Sequence, residues 1–311
     1  MLASRPPTPP PAHLSTGAAA YLLDPDVIEY PTAWGDPWSV QEFREVAHPL
    51  WCRMNELLDF EYSVAGDCLA GVPVERISVG EPVSDAVLVH LHGGMYCAGT
   101  PEIDRVLNAP IARATGLEVI SPDYRLAPEH PFPAAIDDVV AVYRSQVALG
   151  RCVALFGESA GGGLAAACAI AIRDAGLPSP AALGLISPML DLTGSSDAYR
   201  TLAPSDPDYF DTSALLEPVV AYAAGTPLDH PLVSPLFADL AGLPPMLIQV
   251  GNREVLLGDS TRFARAARTA GTSVTLDVLD GGWHNFPIWY GVPEADDAVA
   301  RLAAFLMEAL S

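Results

Sequence analysis

Between positions 40 and 58 the apolar residues Val40, Phe43, Val46, Ala47, Leu50, Met54, Leu57 and Leu58 recur at helical spacing, which predicts a helix with one buried face. A shorter helix within 15–30, opened by Ser15 or Thr16, precedes it, and residues 1–15 are Pro-rich and read as extended. Strand patterns follow at 71–79 and 86–91, the second nearly continuous in Val and Leu, as a strand covered on both faces requires. Apolar runs at 118–121, 152–156 and 182–186 then alternate with helical patterns at 102–114, 133–148 and 160–175. Such alternation implies right-handed crossovers and a mostly parallel sheet, an α/β fold. The pattern lapses after Ser187-Pro188: residues 191–236 are rich in Pro, Asp and Ser, with one helical piece over 211–224, and read as an insertion carrying part of a lid. It resumes with a strand at 246–250, a helix at 259–270, a strand at 274–279 and a closing helix at 293–310 with Pro293 in its first turn.

Composition narrows the function classes. The 311 residues carry 16 Lys and Arg against 38 Asp and Glu, and a net charge of −22 repels nucleic acid and anionic lipid surfaces. No stretch approaches 18 uninterrupted apolar residues, so neither a membrane span nor a membrane partner is expected, and the Pro-rich start lacks the apolar core of a signal peptide. Five cysteines with no Cys-x-x-Cys pair favour a reducing compartment, and the expected location is cytoplasmic. There is no internal repeat.

The chemistry concentrates at Gly157-Glu158-Ser159-Ala160-Gly161, where an apolar run meets an Ala-rich segment. Strand, sharp turn and helix are expected there, with glycines where a side chain would clash and Ser159 raised at the strand end. Taken alone, the motif is equally a Gly-rich helix entry with a capping Ser. A Ser nucleophile further demands a base, an acid to orient the base, and donors for an oxyanion. His90-Leu91-His92-Gly93-Gly94-Met95 closes the second strand in a loop able to bring bare amides toward a negative oxygen. His90 and His92 share a strand face, but no third ligand is placed by the sequence, so no metal is expected, and His92 reads as a loop-fixing hydrogen bonder. The run from Ser121 to Ala135 is a proline-stiffened loop whose duty is structural. Its His130 is a rival for the base on composition alone.

The Gly-Glu-Ser-Ala-Gly elbow, the His-Gly-Gly loop and Tyr124-Arg125-Leu126-Ala127-Pro128-Glu129-His130-Pro131-Phe132-Pro133 together resemble the hormone-sensitive-lipase-like branch of α/β-hydrolases, from about residue 85 to the C-terminus. That resemblance implies an eight-stranded, mostly parallel α/β-hydrolase sheet with a helical cap, and carboxylic-ester hydrolysis without a cofactor. The cap falls at 1–58 and about 190–236, and the catalytic unit at 59–311. Carried over by position, Ser159 is the nucleophile, Gly93, Gly94 and Ala160 supply the oxyanion hole, and His284 in Gly281-Gly282-Trp283-His284-Asn285-Phe286 is the base. Where the family has Asp-x-Leu-x-Asp, this chain reads Arg253-Glu254-Val255-Leu256-Leu257-Gly258-Asp259, and alignment on Leu256 makes Glu254 the acid. Asp259 is its rival, and reads naturally as the cap of the next helix. Met95 replaces a third glycine, and Glu158 stands where Asp is commoner; its side chain is expected to brace neighbouring loops.

The expected partner is a small-molecule ester with a short or medium acyl chain or a natural-product skeleton. Met95, Tyr96, Trp34, Trp38, Tyr209, Phe210 and Trp283 are candidates for its apolar pocket, although the aromatic ones fit a cap core equally. The same apparatus also suits acyl transfer, lactone closure or elimination. A ligand-binding relative without catalysis is disfavoured, because Ser159, Glu254 and His284 are all retained. Monomer and homodimer both stay open; relatives often pair through the last strand of the sheet.

Overall fold

A computed structural model of the chain describes residues 9–23, 40–208 and 215–310. Two helices, α1 (Thr16–Leu23) and α2 (Val40–Cys52), come first, and a 3₁₀ turn at Arg53–Leu57 extends α2. The sheet and its crossovers follow in chain order: β1 (Ser63–Leu69), β2 (Val72–Ser78), β3 (Val87–Leu91), α3 (Arg105–Thr115), β4 (Glu118–Pro122), α4 (Ala134–Ala148), β5 (Val153–Glu158), α5 (Ala160–Asp174) and β6 (Leu183–Ile186). The long connection after β6 carries α6 (Ala198–Thr201) and α7 (Leu216–Ala223), and the chain ends with β7 (Met246–Gly251), α8 (Leu257–Thr269), β8 (Val274–Leu279) and α9 (Pro293–Leu310).

The strands lie in the order β1-β2-β4-β3-β5-β6-β7-β8. Both pairings of β2 are antiparallel and the rest are parallel. Alternation along the central strands splits the core between two faces. Val87, Val89, Leu91 and Leu155 point to one face, packed under α4, α5 and α8, whereas Leu88, Ala154 and Phe156 point to the other, beneath α3 and α9. Burial of both faces is why β3 and β5 read as unbroken apolar runs.

Three expectations need adjustment. β1 is an additional strand; it sits at the sheet edge, is exposed over almost its whole length, and so carries no apolar period. The 40–58 helix is α-helical only to Cys52. The helix expected at 259–270 begins at Leu257, which moves Asp259 into its first turn.

Helix α1 packs through Ala18, Tyr21 and Leu22 onto Trp283, Phe286 and Trp289, just beyond β8. Helix α2 is tied to the loop after β3 and to the proline-rich loop by Arg44, which donates to the carbonyls of Cys97 (2.6 Å) and Ala127 (2.8 Å) and pairs with Glu129. Both helices therefore lie against segments that leave the carboxyl ends of strands, where α/β sheets carry their sites.

Candidate active site

β5 turns into α5 through Ser159, which takes φ 55° and ψ −122°, a conformation an L-residue adopts only under constraint. The constraint is close packing. A Cβ at Gly157 would stand 2.5 Å from the Leu91 carbonyl oxygen, and one at Gly161 only 1.9 Å from it. Glycine at both positions thus lets β3, β5 and α5 meet without a spacer. Ser159 donates its amide to the Ile186 carbonyl at 2.9 Å and accepts from the amides of Gly163 (3.1 Å) and Met189 (2.9 Å), so its backbone is pinned to the end of β6.

Glu254 and His284 come from the loops after β7 and β8. These loops run together because Gly251 and Gly282 have no side chains: a Cβ on Gly251 would lie 2.3 Å from the Gly282 carbonyl carbon. Arg253 donates to the Gly282 carbonyl at 3.0 Å, and Gly281 donates to the Asn252 side chain at 2.7 Å. Glu254 is fully buried. Its Oε1 accepts from the Gly251 amide (2.6 Å) and the Ser187 hydroxyl (2.7 Å), and its Oε2 lies 2.9 Å from His284 Nδ1. With a carboxylate at Nδ1, that nitrogen carries the proton and Nε2 presents the lone pair of a general base. Burial pushes the Glu254 carboxyl up, opposed by the Gly251 and Ser187 donors. Burial also lowers His284 below the ordinary imidazole value, opposed by the charges of Asp208 and Asp206. The imidazole is therefore neutral at neutral pH, as a base must be.

Asp259 does not reach His284, nor does it cap its own helix. Its Oδ2 accepts from the Leu190 (3.0 Å) and Asp191 (2.9 Å) amides, anchoring the start of the post-β6 connection. His130 is exposed on the proline-rich loop, which serves structurally through Tyr124. The Tyr124 ring stacks on His92 at 4.1 Å and its hydroxyl donates to the His92 carbonyl at 2.6 Å, while His92 Nδ1 donates to the Gly93 carbonyl at 2.8 Å.

The loop after β3 passes directly beside Ser159, since a Cβ on Gly93 would lie 3.4 Å from the Ser159 Cβ. Here one expectation is corrected. The Gly93 amide is not available to an oxyanion, because it donates to Glu158 Oε1. The amides of Gly94, Met95 and Ala160 meet no acceptor among the described residues. Gly94 has φ 113°, a glycine conformation, and Met95 follows at φ 56°. Among the described residues, His90, Asp104 and Glu158 bring ligand-type atoms together, as do His48, Cys52 and Glu102. Both His90 nitrogens are already engaged, by Glu158 on one side and by Ser121 and Asn108 on the other.

Comparison with known proteins gives the family. The sequence pattern that defines the α/β-hydrolase fold family matches residues 88–288. The chain belongs to that family. Within it the chain is an esterase of the hormone-sensitive-lipase-like branch. It is 43% identical over 228 residues to an acetyl-hydrolase of Streptomyces hygroscopicus, covering 71% of this chain and 75% of that one. A carboxylesterase of Mycobacterium tuberculosis is 33% identical, covering 93% of this chain and 94% of its own length. The crystal structure of an esterase from the bacterial hormone-sensitive lipase family superposes with a TM-score of 0.86 at 35% identity, over 92% of this chain and 97% of that one.

The pocket expectations for this esterase divide. Trp34, Trp38, Tyr209 and Phe210 lie outside the described residues. Trp283 is corrected: its ring has no exposed surface and is enclosed by Tyr21 at 4.5 Å, Trp289 at 6.1 Å and Phe286 at 6.3 Å, so it supports the His284 loop and faces no ligand. Tyr96 is buried too, its ring stacked on Tyr222 at 3.9 Å and its hydroxyl near Gly163 on the first turn of α5. Met95 retains slight exposure beside the free amides. Two groups escaped the sequence reading: Ser187, which holds Glu254 and is hidden in a Ser-Pro step that looks like a strand end, and the Met95 amide, which meets no acceptor among the described residues and which no side-chain pattern reveals.

Proposed function

We propose that this esterase hydrolyses short-chain carboxylic esters, acetyl esters foremost, through a Ser159–His284–Glu254 triad and an acyl-enzyme. The observation that carries the reading is the buried Glu254–His284 pair at 2.9 Å, tied through Ser187 to the segment at the end of β6 that also anchors the Ser159 elbow. His284 Nε2 takes the proton of Ser159 Oγ as that oxygen attacks the ester carbonyl, and the C–O bond to the alcohol breaks as the imidazolium returns the proton to the departing oxygen. Water, deprotonated by the same nitrogen, then attacks the acyl-enzyme, and the bond from the acyl carbon to Ser159 Oγ breaks as the imidazolium returns the proton to Oγ and the acid leaves. The amides of Gly94, Met95 and Ala160 donate to the oxyanion in both halves; the last also heads α5, whose dipole favours negative charge.

The acetyl preference rests on the acetyl-hydrolase likeness and on the bulk of the buried Tyr96–Tyr222 stack next to Met95 in the loop after β3. Helices α1 and α2 and the 190–236 insertion act as a cap over the unit at 59–311. Ser159→Ala should abolish turnover of p-nitrophenyl acetate, and kcat/KM along an acyl series should fall by about tenfold or more from acetate to octanoate. Retained turnover in the variant would overturn the triad, and a maximum at long chains the substrate class.

A further inference from the structure

Glu158 immediately precedes the nucleophile, yet its side chain turns away from the reacting centre and under the loop after β3. It is buried there with His90, Asp104, Asn108 and Ser121. The hydrogen-bond directions in this pocket follow from which groups can only donate. The amide nitrogen of Asn108 lies 3.0 Å from His90 Nδ1, so Nδ1 accepts and the ring proton sits on Nε2. His90 Nε2 then donates to Glu158 Oε2 at 2.8 Å, and burial keeps this imidazole neutral, its pKa lowered to about 4. Asp104 also hydrogen-bonds to Glu158, and burial pushes both carboxyls up, so that the two are held together by a shared proton. With the Gly93 amide on Oε1, three partners converge on the Glu158 carboxyl group.

Such an arrangement is costly to bury and touches no reacting atom. What it controls is a peptide plane. The Gly93 amide is drawn down onto Glu158, and the chain can then turn only at Gly94 and Met95, whose φ values of 113° and 56° reverse its direction. The turn is tight: a Cβ at Gly94 would fall 2.2 Å from the Ala98 carbonyl oxygen. From this geometry we infer that Glu158, oriented by His90 and Asp104, is the positioning residue of the oxyanion hole, taking the Gly93 amide so that those of Gly94 and Met95 face the ester carbonyl at Ser159. The inference rests on the acyl-enzyme reading above. It explains why an acidic residue precedes the nucleophile although attack needs no charge there.

The test compares Glu158→Met, which fills the space without an acceptor, with Glu158→Gln, whose carbonyl oxygen still accepts from Gly93. For the Met variant, kcat on p-nitrophenyl acetate should fall about 100-fold with KM within about threefold, and the Ki of an alkyl trifluoromethyl ketone, which binds as a hemiketal oxyanion, should weaken in parallel. Gln should recover at least about tenfold of both. A folded Met variant with unchanged kcat and Ki overturns the inference, as does a loss of kcat that the ketone affinity does not follow. A measurement on the wild-type enzyme needs no variant to fold. In ¹⁵N-glycine-labelled protein, ketone binding should shift the Gly94 amide and leave a downfield Gly93 amide in place; a Gly93 amide that responds as the oxyanion donor overturns it. Ser159→Ala, assayed alongside, separates failure of the triad itself from failure of this positioning role.

Discussion

Ser187 and Glu254 meet across the ends of β6 and β7, the Ser187 hydroxyl donating to Glu254 Oε1 at 2.7 Å while accepting from the Asn285 amide at 3.1 Å. One hydroxyl thereby links Glu254 to the residue that follows His284. The Ser159 amide bonds to Ile186, so Ser159, Glu254 and His284 share a single anchoring segment at the end of β6.

Ser187→Ala isolates that link, because Ala tolerates the positive φ of 42° about as well as Ser does. A buried hydrogen bond to a charged group contributes about 1.5–3 kcal/mol, part of which orients the carboxylate. The expected outcome is a fall in kcat of about tenfold with KM little changed, measured on p-nitrophenyl acetate. An unchanged kcat would show that Gly251 alone suffices to hold Glu254.

The Glu254 side chain is one methylene longer than the family's usual Asp, and the structure absorbs the extra length by anchoring Oε1 so that Oε2 reaches His284. Glu254→Asp should therefore lower kcat, by about 10- to 100-fold, since the shorter arm loses either its anchor or the imidazole. Glu254→Gln keeps the size but places an N–H opposite Nδ1, which forces the wrong tautomer and should cost about 10⁴-fold in kcat. Equal activity of the two variants would contradict the orienting role.

His284 carries a pKa lowered by burial, with Asp208 and Asp206 acting in the opposite sense. The base must be unprotonated, so kcat/KM should rise with pH through a midpoint below about 6.5, the ordinary imidazole value. Asp208→Asn removes a charge that stabilises the imidazolium, while its side-chain oxygen can still accept from the Tyr21 hydroxyl that donates to Asp208 at 2.9 Å. The acid limb of the profile should shift to still lower pH, and a shift upward would contradict the assignment.

Legibility in the sequence followed burial. β3 and β5, covered on both faces, stand out as apolar runs, and the elbow is marked by glycines whose Cβ atoms have no room. Alignment of Leu256 with the family motif pointed to Glu254, whose Oε2 lies 2.9 Å from His284 Nδ1. β1 was not legible, because an exposed edge strand is held by backbone hydrogen bonds that any residue can make. Gly93 was assigned to the oxyanion on motif position, and its amide goes instead to a side chain 65 residues away. Asp259 likewise looked like a local cap and bonds to amides 68 and 69 residues distant. Long-range side-chain partners of this kind leave no trace in local pattern.

Trp283 tests whether that distinction between core and pocket matters in practice. Sequence position beside His284 favoured a ligand contact, yet the ring is sealed between α1 and the turn at Phe286–Ile288. Removal of a fully buried Trp side chain costs about 3–5 kcal/mol, so Trp283→Ala should lower the midpoint of thermal unfolding by several degrees. Trp283→Phe, which keeps an aromatic ring in the same cluster, should retain much of that stability. Because the ring faces no substrate, the relative kcat/KM values for acetate, butyrate and octanoate esters should be the same in the Phe variant as in the wild type. A changed ratio would mean that the ring reaches the acyl chain after all. An unchanged ratio with a lowered midpoint would assign Trp283 to the support of the base loop and leave Met95 as the described side chain placed to set acyl length.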